Sequence, residues 1–190
     1  DWNGGAIEIS GSSPTIRDVI INNNSADKGG GIYCTNSNPV ISNVIIEDNI
    51  ATGTSGYGGG IYIQDNSSPS LENVVITGNT ASVGSGVYLH NNCSSALKNV
   101  TIAGNSNPTY AFQVEYYSSP TLVNCILWGN EYYTDSNSDL TASYSLIGTS
   151  GTGNINADPF FVDAANGDYR LLDYSPAIGT GLDTSIVSTT

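Results

Sequence analysis

The chain has 190 residues, enough for one substantial hydrophobic core, and its composition is unusually poor in charge. Only 11% of the residues are charged, and 17 Asp and Glu against four Lys and Arg leave a net charge of −13. Proteins that bind nucleic acid or anionic membranes need clustered Lys and Arg side chains, so neither partner is expected. Acidic polysaccharides would be repelled by the net negative charge unless Ca²⁺ bridged them. The sequence also lacks the roughly 18 consecutive apolar residues needed for membrane insertion.

Five copies of one repeat follow one another from the N-terminus, over residues 4–24, 29–49, 58–79, 84–105 and 110–130. Their common pattern is G-G-G-I-Y-x, a polar turn, S-S-P-x-I-x-N-V-x-I, and then x-x-N-x-A. Equivalent asparagines recur after 25, 30, 26 and 25 residues, and an insertion at 51–57 accounts for the longest interval. This near-constant spacing is typical of stacked coils of similar perimeter.

Apolar residues within each copy alternate with period 2, which predicts strands rather than helices. The first strand directs two sets of side chains inward: Ile7, Ile32, Ile61, Val87 and Val114, then Ile9, Cys34, Ile63, Leu89 and Tyr116. Two further apolar bursts predict a second and a third strand in each coil, the second around Ile16 and the third around Val19 and Ile21 in the first copy. The fold class is therefore all-β: a right-handed single-stranded parallel β-helix of about five coils, each roughly 25–30 residues long.

Two columns of polar residues recur at fixed positions of the repeat and are expected to be structural. An inward Asn at a coil corner can hydrogen-bond to the backbone and to the next amide along the stack. The first column is Asp18, Asn43, Asn73, Asn99 and Asn124, and the second is Asn24, Asn49, Asn79, Asn105 and Asn130.

The two ends of the chain depart from the repeat. Residues 1–147 are assigned to the coils, 148–181 to an irregular C-terminal cap, and 182–190 to a tail or linker. The cap is expected to cover the open end of the core with Phe160, Phe161, Val162, Leu171, Leu172 and Ile178. At the N-terminus the first coil begins with little capping sequence, so either upstream coils have been removed or this edge pairs with another subunit.

The coils, together with the C-terminal motifs A-D-P-F-F-V-D, G-D-Y-R-L and S-P-A-I-G-T-G, resemble the pectate-lyase-like right-handed β-helix superfamily. Within it they are most similar to the bacterial secreted group called choice-of-anchor Q proteins, although Ile178-Gly179 replaces the more usual Ile-Asp. The resemblance covers nearly the whole chain. It implies an extracellular or cell-surface location and the β-helix fold, and it implies little about activity.

The outward side of the first strand is the candidate binding surface. Three tyrosines are expected to stack there at coil spacing beside polar side chains, because they occupy equivalent positions. Aromatic rings next to amides and carboxylates suit sugar faces, and the alternative is that the rings only stiffen the sheet. The candidate glycan-binding residues are Tyr33, Tyr62, Gln64, Tyr88, His90 and Tyr117.

Catalytic chemistry has weaker support in the sequence, and no catalytic residue is assigned. A polysaccharide lyase needs a cationic or metal stabiliser, and none of Arg17, Lys28, Lys98 and Arg170 is evidently paired with acids for that task. A glycoside hydrolase needs two carboxyls, and only Asp65 is expected near His90. No metal site or cofactor is assigned; Ca²⁺ stays open, with its ligands unknown. The three Cys are expected to be unpaired, with Cys34 and Cys125 buried.

The preferred hypothesis is a non-catalytic structural or adhesive module, secreted or on the cell surface, with a glycan-contacting tyrosine face. Its uncapped N-terminal edge would allow head-to-tail stacking into a filament. The alternatives are a carbohydrate-active enzyme, either a lyase or a hydrolase, and a pure glycan-binding module. Surface glycans and further copies of the chain are the expected partners.

Overall fold

A computed structural model describes residues 2–54, 56–106, 110–129 and 132–182, and it confirms the all-β parallel solenoid. Asn130 and residues 183–190 of the expected tail lie outside the described residues. The strands in chain order are β1 (Ile7–Ser10), β2 (Thr15–Asn22), β3 (Ser25–Ala26), β4 (Ile32–Thr35), β5 (Val40–Glu47), β6 (Ile50–Ala51), β7 (Ile61–Gln64), β8 (Ser70–Thr77), β9 (Val87–His90), β10 (Ala96–Ala103), β11 (Phe112–Glu115), β12 (Thr121–Val123), β13 (Ile126–Trp128), β14 (Tyr132–Thr134), β15 (Thr141–Ser143), β16 (Phe161–Asp163) and β17 (Asp168–Leu171). A short 3₁₀ helix, Ala164–Asn166, separates the last two strands.

Two long parallel sheets form the walls of the solenoid. The first sheet has the order β1-β4-β7-β9-β11-β14, so each coil adds one strand beside its predecessor. The second sheet has the order β15-β12-β10-β8-β5-β2, with β13 also paired to β10. Strands β3 and β6 form a small third sheet, and the antiparallel pair β16-β17 lies in the C-terminal segment.

The second and third predicted strands of a coil are continuous in the structure. Strands β2, β5, β8 and β10 each run for eight residues and bend at Asp18, Asn43, Asn73 and Asn99, where φ is 54–56°. Asn and Asp tolerate this left-handed conformation better than other non-glycine residues. The expected corner is therefore a one-residue bend. In the fifth coil the bend at Asn124 separates β12 from β13.

Inward side chains of successive coils stack into one continuous hydrophobic core. Ile32 pairs with Ile61 and Ile61 with Val87, and none of the three is exposed to solvent. Burying a large aliphatic side chain contributes about 1.5–3 kcal/mol relative to leaving it in water. The same column continues through Phe112, which is also fully buried, to the partly buried Tyr132.

The predicted alignment of the fifth coil was wrong by two residues. Val87 pairs with Phe112, and Leu89 pairs with Val114. Tyr116, expected to point into the core, is instead 53% exposed in the turn that follows β11. The S-S-P motif at 118–120, equivalent to 67–69, contains the signal for the correct register.

The C-terminal segment does not cover the end of the core in the predicted way. Phe160, Val162 and Ile178 are each more than 40% exposed, and the other three proposed capping residues lie outside the core cluster. The segment packs against the outside of the coils: the Tyr169 hydroxyl lies against Gly104, and the Leu182 backbone exchanges two hydrogen bonds with Asn124. An open depression of about 640 Å³ remains at this end, lined in part by Leu127, Tyr132 and Ile147.

Candidate functional site

The outward side of the first sheet contains a column of tyrosines at successive coil positions. Tyr33 pairs with Tyr62, and Tyr62 pairs with Tyr88. The Tyr62 and Tyr88 rings stack with centroids 5.1 Å apart and planes inclined by 8°, and Tyr33 packs on Tyr62 at 5.7 Å. This arrangement follows from the regular repeat, because each equivalent position lies one strand spacing from the next.

The three tyrosines are buried, so they do not form the expected open face. Their exposed fractions are 6% for Tyr33, 3% for Tyr62 and 3% for Tyr88. Tyr57, from the end of the insertion, and Val83 pack over them as a separate apolar cluster. A glycan could reach these rings only by displacing that cover.

Burial also suppresses ionisation of the tyrosines. It is the largest cause of the raised pKa of Tyr33, Tyr62 and Tyr88, and nearby negative charge adds to it. At neutral pH the hydroxyls are therefore protonated and act as hydrogen-bonding groups rather than as bases.

A band of polar side chains beside the tyrosines remains accessible. We call it the polar strip, and it consists of Gln64, Asp65, His90, Asn91, Glu115 and Tyr116. Gln64 donates from Nε2 to the Tyr33 hydroxyl at 2.7 Å and to Asp65 Oδ2 at 2.8 Å. Asn91 donates from Nδ2 to Asp65 Oδ1 at 2.7 Å, so amides of two successive coils orient one carboxylate.

Glu115, and not the predicted binding residue Tyr117, occupies the place beside His90. The two residues are directly paired between β9 and β11. Glu115 accepts hydrogen bonds from the Tyr88 hydroxyl at 2.6 Å and from Gln113 Nε2 at 2.8 Å. His90 thus has an acidic neighbour that the misaligned fifth coil concealed, while Tyr117 lies in the turn beyond the strand.

His90 is held among aromatic rings with one ring nitrogen unpaired. Its centroid lies 4.5 Å from that of Tyr116 and 5.6 Å from that of Tyr88. Nδ1 is buried and has no hydrogen-bond partner among the described residues. Buried polar atoms are almost always satisfied in folded proteins, so a ligand or a water molecule is the natural partner for this nitrogen.

Tyr116 and Tyr117 combine strained backbone with exposed rings. Their φ angles are 54° and 63°, and the equivalent turns of the two preceding coils have Asp65-Asn66 and Asn91-Asn92 in the same conformation. For a bulky residue this conformation is a true outlier, and such strain is concentrated at functional sites. The rings are 53% and 64% exposed, so burial of the side chains does not explain the strain.

A known family model matches most of the chain. The family model for the right-handed β-helix region matches residues 1–150. The chain belongs to the right-handed β-helix family. No curated protein and no solved structure shows a significant match to it.

The two asparagine columns of this right-handed β-helix have different surroundings. The column at the bend is mainly exposed and joined by side-chain hydrogen bonds of 2.9–3.2 Å from Asp18 through Asn124. The second column is inward: Asn49, Asn79 and Asn105 are at most 2% exposed. Each Nδ2 from Asn24 to Asn79 donates to the Oδ1 of the next member at 2.9–3.0 Å. Asn130, the expected last member, lies outside the described residues.

The β-helix has no evident redox or metal centre in its described part. Cys34, Cys93 and Cys125 are free and buried, and burial raises the pKa of each thiol to about 11. Among the described residues, no group of three or more His, Cys, Asp or Glu is placed to hold a metal ion. Likewise, no helix in the described part of the chain is long and apolar enough to cross a membrane.

Proposed function

We propose that this right-handed β-helix is an adhesive module, secreted or at the cell surface, that binds glycans through the polar strip without cleaving them. The observation that carries the proposal is the pair of exposed tyrosines, Tyr116 and Tyr117, in strained backbone next to His90 and Glu115. An exposed ring can pack on the apolar face of a sugar, while adjacent amides and carboxylates hydrogen-bond to its hydroxyls.

The rigidity of the strip supports recognition by a preformed surface. Glu115 is fixed by Tyr88 and Gln113, and Asp65 is fixed by Gln64 and Asn91. All of these residues belong to the first sheet or to the turns directly after its strands. Side chains that are already ordered lose less conformational entropy when a ligand binds.

A glycoside hydrolase is the second candidate, favoured by the two carboxylates on either side of His90. Asp65 follows β7 and Glu115 ends β11, with β9 between them. Two strand spacings amount to about 9.6 Å, near the upper limit for the carboxyl pair of an inverting enzyme. Glu115, however, is the acceptor of two hydrogen bonds from fixed neighbours, which favours a binding role.

A glycan array combined with a turnover assay tests the proposal. The chain should retain particular glycans, and Tyr116→Ala should reduce that retention while the far-UV circular dichroism stays unchanged. New reducing ends that disappear in Glu115→Gln would support the hydrolase instead. Absence of binding to every glycan on the array would contradict the adhesive function.

The same proposal includes an extracellular or cell-surface location and membership of the choice-of-anchor Q group. The C-terminal motifs support membership of the secreted choice-of-anchor Q group, and the polar, low-charge surface suits an extracellular module. Fractionation of cells that produce the full-length gene product tests this, because accumulation of the protein in the cytoplasm would contradict it.

We also propose head-to-tail self-association through the N-terminal edge. Strands β1 and β2 are the end strands of their sheets, and Trp2, which precedes them in the chain, is 83% exposed. Unpaired strand edges are templates for addition of another strand. Light scattering and electron microscopy at high concentration should reveal oligomers or filaments, and monomers alone would contradict the proposal.

A further inference from the structure

The polar strip contains two carboxylates and has no lysine or arginine among its six members. Asp65 and Glu115 accept hydrogen bonds only from amides and a phenol in the contacts described above, and these donors orient the carboxylates without neutralising them. Asp135, next to Glu115 along the stack, accepts from the backbone N–H of Tyr116 at 3.0 Å. Three carboxylates therefore lie in or next to the strip, on or directly after strands β7, β11 and β14.

The basic residues whose ion pairs are defined lie elsewhere on the molecule. Lys98 pairs with Glu72 at 2.9 Å on the second sheet, and Arg170 pairs with Asp168 in the C-terminal segment. Arg17 lies 4.0 Å from Asp18 at the first bend. These three cations are engaged away from the strip, so its charge favours a cationic ligand.

Two unpartnered polar groups beside the carboxylates indicate a ligand that also presents hydroxyls. The Tyr62 side chain is 3% exposed, and its hydroxyl has no hydrogen bond among the described residues, although the oxygen atom itself is not fully buried. Burial and Tyr33 raise the pKa of Tyr62 most, and the negative charge of Asp65 raises it further. His90 Nδ1 is the second such group. A buried unpaired atom such as His90 Nδ1 is costly unless a ligand or water pairs with it.

We propose that the polar strip binds glycans that contain free amino sugars, with protonated amines on the carboxylates and a sugar face against Tyr116. This inference rests on the proposed function and specifies its ligand class. Charge-assisted hydrogen bonds between an ammonium and a carboxylate are stronger than those between neutral groups. The exposed ring and the two unpartnered groups favour an amino sugar over a basic peptide, because a sugar offers both an apolar face and hydroxyls.

Isothermal titration of the full chain at mildly acidic pH and low salt tests the ligand class. The probes are a glucosamine hexamer, the same hexamer fully N-acetylated, and hexalysine. The glucosamine hexamer should bind at least about tenfold more tightly than its acetylated form, which has the same sugar chain but neutral acetamides in place of the protonated amines. Hexalysine should bind more weakly than the glucosamine hexamer.

Substitutions locate the interaction. Glu115→Gln and Asp65→Asn should each weaken binding of the glucosamine hexamer by about five- to tenfold. Glu47→Gln is the matched control, because it removes the same charge from β5 on the second sheet and should leave binding unchanged. An equal loss in Glu47→Gln would overturn the site, since it would reflect only the net charge.

The remaining outcomes separate this inference from the proposed function. Equal or tighter binding of the acetylated hexamer would refute the amino-sugar class and leave glycan binding intact. Preferential binding of hexalysine would refute it in favour of basic peptides. Failure of every glycan, including those on the array, would refute both.

Discussion

Removal of one inward asparagine should destabilise the solenoid more than its size suggests. Asn79 is fully buried, and its side chain makes five hydrogen bonds with the described residues. Oδ1 accepts from the backbone N–H and from Nδ2 of Asn49, both at 3.0 Å. Nδ2 donates at 2.9 Å to Ile46 O, to Thr77 O and to Asn105 Oδ1. The substitution Asn79→Ala removes all five.

The expected loss follows from the groups that remain unpaired. The Asn49 backbone N–H becomes a buried donor without a partner, which costs about 1–3 kcal/mol. Asn49 Nδ2 still donates to Ile21 O, so it keeps a partner. Each of the other four lost hydrogen bonds therefore lowers the free energy of unfolding by about 0.5 kcal/mol, the low end of the range for a hydrogen bond. The free energy of unfolding should fall by about 4 kcal/mol, a large part of the stability of a typical domain.

Equilibrium unfolding in guanidinium chloride, followed by circular dichroism and by the fluorescence of the two tryptophans, measures this loss. Asn73→Gly is the matched control, because Asn73 lies in the exposed ladder and glycine accepts its φ of 54°. The control should change the free energy of unfolding by less than about 1 kcal/mol. Equal losses in the two variants, or a loss below about 1 kcal/mol in Asn79→Ala, would show that the buried hydrogen bonds of Asn79 do not stabilise the fold to this extent.

Three further predictions concern strain, ionisation and thiol reactivity. Tyr116→Asn should raise the free energy of unfolding by up to about 1 kcal/mol while it weakens glycan binding, because Asn tolerates the left-handed conformation; lower stability in denaturant would contradict this. Burial raises the pKa of Tyr62 in the folded chain above its unfolded value of about 10. The contribution of protonated Tyr62 to the free energy of unfolding is therefore fully present below about pH 10 and is lost as the pH rises further. Above about pH 10 the midpoint denaturant concentration should therefore decrease with pH, and it should decrease less steeply in Tyr62→Phe. Equal pH dependence of the midpoint in the two proteins would contradict this. A thiol reagent should leave the native chain unmodified at neutral pH and label three thiols after unfolding, since Cys34, Cys93 and Cys125 are buried with pKa values near 11; rapid labelling of the native chain would be inconsistent with their burial.

The misaligned fifth coil shows where prediction from the repeat stops working. In the first four copies, G-G-I-Y or its equivalent fixes the first strand, whereas the fifth copy reads Y-A-F-Q-V-E-Y-Y and offers two alternating registers. Both registers direct Val114 inward, so hydrophobic alternation does not distinguish them. The backbone pairing of β9 with β11 decides the register, and it thereby places Glu115 rather than Tyr117 beside His90.

The packing of the C-terminal segment differs from the prediction for a related reason. Its aromatic and aliphatic residues are numerous enough to cover the end of the core, and composition alone does not indicate which surface they cover. In the structure the Tyr169 hydroxyl lies against Gly104, where the absence of a side chain leaves room for it. Phe160 and Val162 consequently face solvent in part.

The parallel β-helix, the approximate number of coils and the columns of like residues could all be predicted from the repeat. This is possible because stacking forces equivalent positions of a repeat to lie one strand spacing apart, so sequence period becomes spatial order. The accessibility of the outward side chains, in contrast, depends on contacts between segments that are distant in the sequence. The accessibility of Tyr62 and Tyr88 depends on Tyr57 and Val83, which lie outside the repeat strands and whose placement no local pattern specifies.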